Sequence, residues 1–189
     1  MRRIALLIVW VCALSVAGAS VASAQDDGFK VTTTDIGAVI GVGGISGAGV
    51  GFGGRFEKGF KELPDLRNGV LGIGVGVDYY SFSTSFLTTS GFNYKVIPVS
   101  VTVNYHLQLD NKKIDPFLGL GLGYEYFSVS GPSCTIGGID YCANAYSSGV
   151  YFVGRAGIRY YWQPKLALYA DVGSGAGSLH LGVMYKLAD

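Results

Sequence analysis

The stretch from Ile97 to Phe127 reads IPVSVTVNYHLQLDNKKIDPFLGLGLGYEYF, and its alternating pattern indicates the fold of the chain. In its first half every second residue is apolar, and mostly polar residues stand between. The second half resumes the alternation, with glycine between leucines. A period of two is the pattern of a β-strand with one apolar face. Because the polar run 110–113 between the halves is a turn signal, the stretch predicts a β-hairpin.

The same alternation recurs along the chain after residue 25. Together with the hairpin it predicts eight strands, near residues 36–42, 50–56, 71–79, 97–107, 118–126, 152–162, 166–172 and 179–187. Turn or loop signals separate the strands at 43–47, 57–68, 83–91, 110–113, 131–148, 163–165 and 173–177. A helical apolar stripe is not found after residue 25. We therefore expect an all-β fold, an eight-stranded antiparallel barrel.

Composition limits the class of protein. The chain has 189 residues, of which 30 are glycine, and it is 49% hydrophobic and 14% charged. Disordered chains combine low hydrophobicity with high charge, so this class is excluded. Glycine has no period of three, which excludes collagen. The formal net charge of +1 lacks the basic footprint of a nucleic-acid-binding protein, so no nucleic-acid partner is expected.

The N-terminal residues are typical of a secretory signal peptide. Two arginines precede an apolar run over residues 4–16, and a small-residue Ala-Ser-Ala motif ends at residue 24. The run is shorter than the roughly 20 residues of a spanning helix, so we prefer cleavage to a membrane anchor. The chain is thus divided into a signal peptide, 1–24, and one exported barrel domain, 25–189.

Two cysteines remain in the exported domain, Cys134 and Cys142. In an oxidising compartment a close pair of cysteines predicts a disulfide. Zinc is the competing interpretation, but two thiols without nearby histidines supply too few ligands. We expect neither a metal nor a cofactor.

The two faces of the predicted strands differ in chemistry, and this difference indicates which face is outside. One face is leucine, isoleucine, valine and tyrosine, whereas the other is glycine, serine, threonine, asparagine and charged residues. A soluble exported barrel with the apolar face inward would expose bare glycine to water. In a transmembrane barrel the apolar face contacts lipid, and glycine fits inside because eight strands enclose a narrow bore. We favour the transmembrane barrel, with membrane lipid as its partner.

Aromatic residues near the strand ends of the apolar face support lipid contact. Such residues form girdles at the two interfaces of transmembrane barrels. The predicted girdle residues are Tyr105, Tyr124, Tyr126, Tyr160, Trp162 and Tyr185.

The hairpin also resembles the central hairpin of small outer-membrane β-barrels, the family that includes OmpW-, OmpX- and OmpA-type barrels. In that family an apolar strand ends in Tyr-His, crosses a short polar turn and restarts at Asp-Pro-Phe, as at residues 105–106 and 115–117 here. The resemblance implies an outer-membrane location, and an OmpW-type relation implies a conduit for small apolar molecules. Barrels of the family usually end in an aromatic residue, whereas this chain ends Tyr-Lys-Leu-Ala-Asp.

Eight strands place both chain ends in the periplasm. The turns at 110–113 and 163–165 are then periplasmic, whereas the loops at 83–91 and 131–148 are extracellular. We expect a monomer whose extracellular partner, if it has one, contacts these two loops. The segment 57–68 falls on the periplasmic side, where it is long for a turn.

Ionisable residues fall on the inward face of the predicted strands. In a narrow bore a balanced set of charges predicts a salt-bridge network, because a buried charge without a partner is costly. We expect Glu125 to pair with Arg155, and Asp35 to lie near Lys186. A gated polar pathway is the alternative. The predicted network comprises Asp35, Arg55, Asp78, Glu125, Arg155, Arg159, Asp171 and Lys186, with His106 and His180 as lumen histidines.

Three functions are compatible with this barrel, and the lumen distinguishes them. A filled lumen favours a non-enzymatic structural or interaction role, which we expect. A conduit requires a continuous pocket lined by Phe127 and Tyr80. A lipid-modifying enzyme requires Ser178, His180 and Asp171 within hydrogen-bond reach, because a nucleophile needs an oriented base beside it.

Overall fold

The computed structural model describes residues 28–45, 49–84, 92–130, 135–136, 139–140 and 148–188. The predicted signal peptide and the predicted disulfide between Cys134 and Cys142 lie outside these residues. The strands are β1 (Thr34–Val42), β2 (Val50–Leu63), β3 (Gly69–Thr84), β4 (Phe92–His106), β5 (Ile114–Ser130), β6 (Thr135–Ile136), β7 (Ile139–Asp140), β8 (Gly149–Gln163), β9 (Leu166–Ser174) and β10 (Leu179–Ala188).

Eight of these strands form a closed antiparallel barrel in the order β1-β10-β9-β8-β5-β4-β3-β2. The barrel closes between its first and last strands, where Ile36 lies opposite Tyr185. The short strands β6 and β7 pair with each other in the segment that connects β5 to β8. The predicted all-β, eight-stranded antiparallel barrel is therefore confirmed.

The exterior of the barrel is apolar over its central belt. The side chains of Phe152 and Leu120 are 82% and 74% exposed, and most other outward residues of the belt are likewise exposed aliphatic or aromatic residues. Between them on the same strands, glycine and polar residues point inward, so the soluble barrel with an apolar interior is wrong. An apolar surface of this extent is typical of contact with lipid. Within the described residues, no helix is long and apolar enough to span a membrane.

At one end of the barrel the polarity of the two faces is reversed. Strands β3, β4 and β5 extend there beyond their neighbours, and their outward residues are polar, as at Ser81, Lys95 and Ser128. Their inward residues at this level are aromatic or aliphatic, as at Phe82 and Val96. The reversal marks where the apolar belt ends and water begins. We call this the loop end, and the end with the connections 64–68, 107–113 and 164–165 the turn end.

The predicted long turn at 57–68 is wrong. Strand β2 continues through these charged residues to Leu63, and only residues 64–68 connect it to β3. The run of charges has the composition of a turn, but its inward positions continue the alternation of the strand. As a result Glu57 lies inside the barrel and is 4% exposed.

The predicted girdle residues fall into two groups on the exterior. Tyr105 lies at the turn end, where its hydroxyl donates a 2.6 Å hydrogen bond to the carbonyl oxygen of Leu66. Tyr124 and Tyr126 lie toward the loop end and are about half exposed. The remaining turn-end members, each between about one third and one half exposed, are Tyr160, Trp162 and Tyr185.

Gly121 tests how closely the inner wall is packed. A Cβ atom on Gly121 would overlap the carbonyl oxygen of Val101 on β4, whereas one on Gly54 would meet nothing nearer than the Gly37 oxygen at 3.9 Å. Because backbone cannot give way cheaply, we expect Gly121→Ala to lower the free energy of unfolding by about 1–3 kcal/mol. Urea unfolding in lipid vesicles measures this, with Gly54→Ala as the matched control. Equal stabilities of the two variants would contradict the packing.

Candidate functional site

A cluster of buried charges fills the bore near the turn end. We define the lower cluster as Asp35, Glu57, Asn104, His106, Asp115, Arg159 and Lys186, all of which are buried. Arg159 from β8 is central and 1% exposed. Its Nη1 lies 2.8 Å from Asp35 Oδ2 and 3.9 Å from Asp115 Oδ2, and its Nη2 donates to Glu57 Oε2. One guanidinium therefore joins β1, β2, β5 and β8 across the bore.

His106 lies between two carboxylates in this cluster. Its Nδ1 is 2.9 Å from Asp115 Oδ1, and its Nε2 is 2.8 Å from Glu57 Oε1. Carboxylates only accept hydrogen bonds when ionised, so a ring that meets one at each nitrogen donates from both and carries a positive charge. The amide of Asn104 donates a further 2.8 Å bond to Glu57 Oε1. Three carboxylates thus face three cationic groups, which include Lys186.

Lys186 closes the cluster on the last strand. It is the register partner of Asp35, so these two residues are adjacent across the β1–β10 closure as expected. Its Nζ lies 4.9 Å from the centre of the Tyr161 ring and donates a 3.3 Å bond to the carbonyl oxygen of Gly28. The closure of the barrel is therefore lined by opposite charges on its two strands.

A second cluster lies nearer the loop end. We define the upper cluster as Arg55, Asp78, Arg155, Tyr169, Asp171 and His180. Arg55 Nη1 lies 2.9 Å from Asp78 Oδ1, and Arg155 Nε donates a 2.6 Å bond to Asp171 Oδ1. The Tyr169 hydroxyl also donates to Asp171. Each guanidinium therefore has its own carboxylate on a neighbouring strand.

The predicted pairing of Glu125 with Arg155 is wrong. Glu125 points into the barrel, but its register partner on β8 is Gly149, whereas Arg155 lies opposite Gly119. The two side chains are six positions apart along β5. Arg155 instead pairs with Asp171 on β9, the other neighbour of β8. Alternation along a strand predicts which face a residue occupies but not the register between neighbouring strands.

Sequence reasoning missed two carboxylates of the lower cluster, Glu57 and Asp115. Each continues the inward parity of its strand, because Glu57 follows the predicted lumen residue Arg55 by two residues and Asp115 precedes the buried Phe117 by two. Both lie in or beside a predicted turn, Glu57 at the start of 57–68 and Asp115 just after 110–113. Both residues could have been predicted by continuing the inward–outward alternation of each strand into the charged residues beside it.

Between the two clusters the bore contains a cavity of about 50 Å³. Small residues on β3 and β4 line one side of it, at Gly74, Gly76, Ser100 and Thr102. One water needs roughly 10–15 Å³ by the same measure, so the cavity has room for a few waters. It is smaller than any drug-sized ligand requires.

Both mouths of the bore are covered. At the turn end, the ring of Phe29 is completely buried against the lower cluster. At the loop end, an apolar cap of Ile45, Tyr80, Val96 and Ala176 packs together, and Phe82, Phe127 and Tyr151 pack against it. Tyr80 and Phe127, which would line a conduit, thus belong to the cap.

The residues of the hypothetical enzyme are only partly brought together. His180 Nδ1 lies 3.0 Å from Asp171 Oδ1 and 2.7 Å from Arg155 Nη2. Ser178 is exposed, and no hydrogen bond between Ser178 and His180 is found in the described ranges. Among those residues there is also no group of three His, Cys, Asp or Glu that could bind a metal ion.

The chain was compared with known proteins. No family model matches it, and no curated protein matches it. Three similar solved structures are small outer-membrane β-barrels. The attachment invasion locus protein Ail of Yersinia pestis, in complex with the heparin analogue sucrose octasulfate, is 14% identical over 82% of this chain and 94% of that chain, with a TM-score of 0.46.

The other two similar structures are also from bacteria. Neisserial surface protein A is 18% identical over 84% of this chain and 98% of that chain, with a TM-score of 0.42. The N-terminal β-barrel domain of Pseudomonas aeruginosa OprF is 14% identical over 84% of this chain and 98% of that chain, with a TM-score of 0.44. The assignment of the fold rests on the closed strand order described above.

Arg159 is the most sensitive position of the lower cluster. We expect Arg159→Met to cost about 3–5 kcal/mol of unfolding free energy, because it leaves buried carboxylates without their cation. Adding Asp35→Asn and Glu57→Gln removes those charges and should recover part of the loss. Lys61→Met, at an exposed position of β2, is the control. Urea unfolding in vesicles measures all three, and a harmless Arg159→Met would refute the role of the cluster.

Proposed function

We propose that the chain is an integral, non-enzymatic β-barrel protein of a bacterial outer membrane, with a closed lumen and a structural or interaction role at the cell surface. The observation that carries this proposal is the division of the barrel into an apolar exterior belt and a bore filled with paired charges. A soluble protein would not expose an apolar belt to water, and the bore of an open channel would not be filled with paired charges.

The exterior supports a membrane location. Transmembrane strands need about 9–11 residues at their usual tilt, and each of the eight barrel strands has at least nine. Aromatic side chains lie near both ends of the apolar belt, where membrane interfaces would be. In this orientation the turn end, where β1 begins and β10 ends, faces the periplasm, and the loop end faces outward.

The interior favours a closed barrel over a conduit. Arg159 of the lower cluster reaches Asp35 across the bore, and in the upper cluster His180 Nε2 lies 3.9 Å from Asp78 Oδ1 on a strand that is not its neighbour. A buried aromatic ring or an apolar cap covers each mouth. An apolar molecule would have to displace Tyr80 and Phe127 and then pass two layers of charge. The free-energy cost of these steps argues against transport of small apolar molecules through the bore.

The proposed contact surface is the loop end. The loops at 83–91 and 131–148 contain a single charged residue, Asp140, and are rich in serine, threonine, glycine and aromatic residues. Binding surfaces of this composition work through aromatic and hydroxyl contacts. The two loops contain no cationic group that could pair with a polyanion. We therefore do not expect this chain to bind a heparin analogue as Ail does.

A surface-labelling experiment tests the location and the orientation together. An epitope inserted between residues 87 and 88 should be detected on intact cells, whereas the same epitope at Pro164, in the turn after β8, should be detected only after the outer membrane is permeabilised. The barrel itself should migrate differently on a denaturing gel before and after boiling, since a folded barrel resists detergent until heated. Equal labelling of both sites, or recovery in the soluble fraction, would overturn the proposal.

A further inference from the structure

The segment that precedes β1 crosses the turn-end mouth of the barrel. It comprises residues 28–33, and the ring of Phe29 points into the bore. That ring stacks on His106 with 3.8 Å between centroids and 15° between planes. The Arg159 Cζ atom lies 5.1 Å from the same centroid. Phe29 therefore covers the two cationic groups at the centre of the lower cluster.

Three different parts of the wall hold the backbone of this segment. The Gln108 side chain, after β4, donates a 2.8 Å bond to the carbonyl oxygen of Phe29. Lys186 on β10 donates to the carbonyl oxygen of Gly28, and the Gly59 amide on β2 donates a 2.9 Å bond to the Thr33 oxygen. The segment is thus fastened on opposite sides of the mouth.

The wall is shaped to receive the ring. Gly72 on β3 faces it, and a Cβ atom there would lie 3.0 Å from Phe29 Cζ. The contacts with Gly28 and Phe29 are all non-covalent, and residues 28–33 belong to no strand of the barrel. Segments tied only by such contacts open locally at lower free energy than the barrel unfolds.

We propose that residues 28–33 form a releasable plug of the turn-end mouth, and that the Phe29 ring is the contact that keeps water out of the lower cluster. The plug excludes water from ion pairs that are stronger in a water-poor surrounding. When it withdraws, the first groups to meet water are the two cationic ones, His106 and Arg159. The plug is thus a conformational device separate from the strand ladder.

The two histidines of the chain provide a direct test. In protein labelled with ¹⁵N only at histidine and folded in lipid nanodiscs, exchange of the imidazole N–H protons with water reports access to each ring. We expect Phe29→Ala to accelerate exchange at His106 on the order of tenfold or more, because the covering ring is gone. His180 in the upper cluster serves as the internal control and should not change.

Two further variants make the test specific. Gln108→Ala releases one backbone tie but leaves the ring, so it should give a smaller acceleration at His106. Leu187→Ala alters a half-exposed outward residue at the same end and should give none. Unchanged exchange at His106 in both Phe29→Ala and Gln108→Ala would overturn the plug, and so would equal acceleration at His180.

The heat-dependent shift on a denaturing gel distinguishes a failure of the plug proposal from a failure of the proposed membrane barrel. A variant that retains the shift is a folded barrel, whatever its plug does. If Phe29→Ala loses the shift, Phe29→Leu takes its place, because it keeps an apolar side chain but removes the stacked ring. Wild-type exchange at His106 in a folded Phe29→Leu barrel would equally contradict the proposal.

Discussion

A bore enclosed by eight strands must be filled by the side chains of those strands, and every charge inside it must find a partner. This constraint explains the composition of the inner wall. Arg159 reaches across the bore to Asp35 and Glu57, so positions around it on the wall have little space left. Glycine occupies many positions of the inner wall, because a larger residue would collide with backbone, as at Gly121, or with a charged side chain, as at Gly53 and Gly72. The high glycine content and the buried ion pairs are thus two consequences of one geometry.

The same constraint explains why the lumen is closed at both mouths. Ion pairs gain strength in a surrounding of low dielectric constant but lose it when water enters. Phe29 covers the lower cluster at one mouth, and the apolar cap that includes Tyr80 covers the other. The reversal of polarity in the extended parts of β3, β4 and β5 follows from this closure, because these strands face the cap on the inside and water on the outside.

The sequence was sufficient to predict the number of barrel strands, the outward face and most of the inward charges, because each depends only on alternation along one strand. The full length of β2 was not predicted, because the charged residues from Glu57 onward have the composition of a turn although Glu57 lines the lumen. The pairing of Arg155 was not predicted either, because it depends on the register between strands, which sequence alternation does not contain. The plug was missed for a related reason, as a single Phe29 before the first strand shows no pattern.

Electrical recording tests whether the bore is closed by its own side chains. The purified protein would be refolded in lipid vesicles, its fold verified by the heat-dependent gel shift, and the vesicles fused with a planar lipid bilayer in which the current is followed at a constant voltage. We expect no stable conductance steps, because the ion pairs and the covered mouths leave a cavity of about 50 Å³ between the two clusters. Reproducible steps of one size from the wild-type protein would contradict it, since they would require a continuous water-filled path through both clusters.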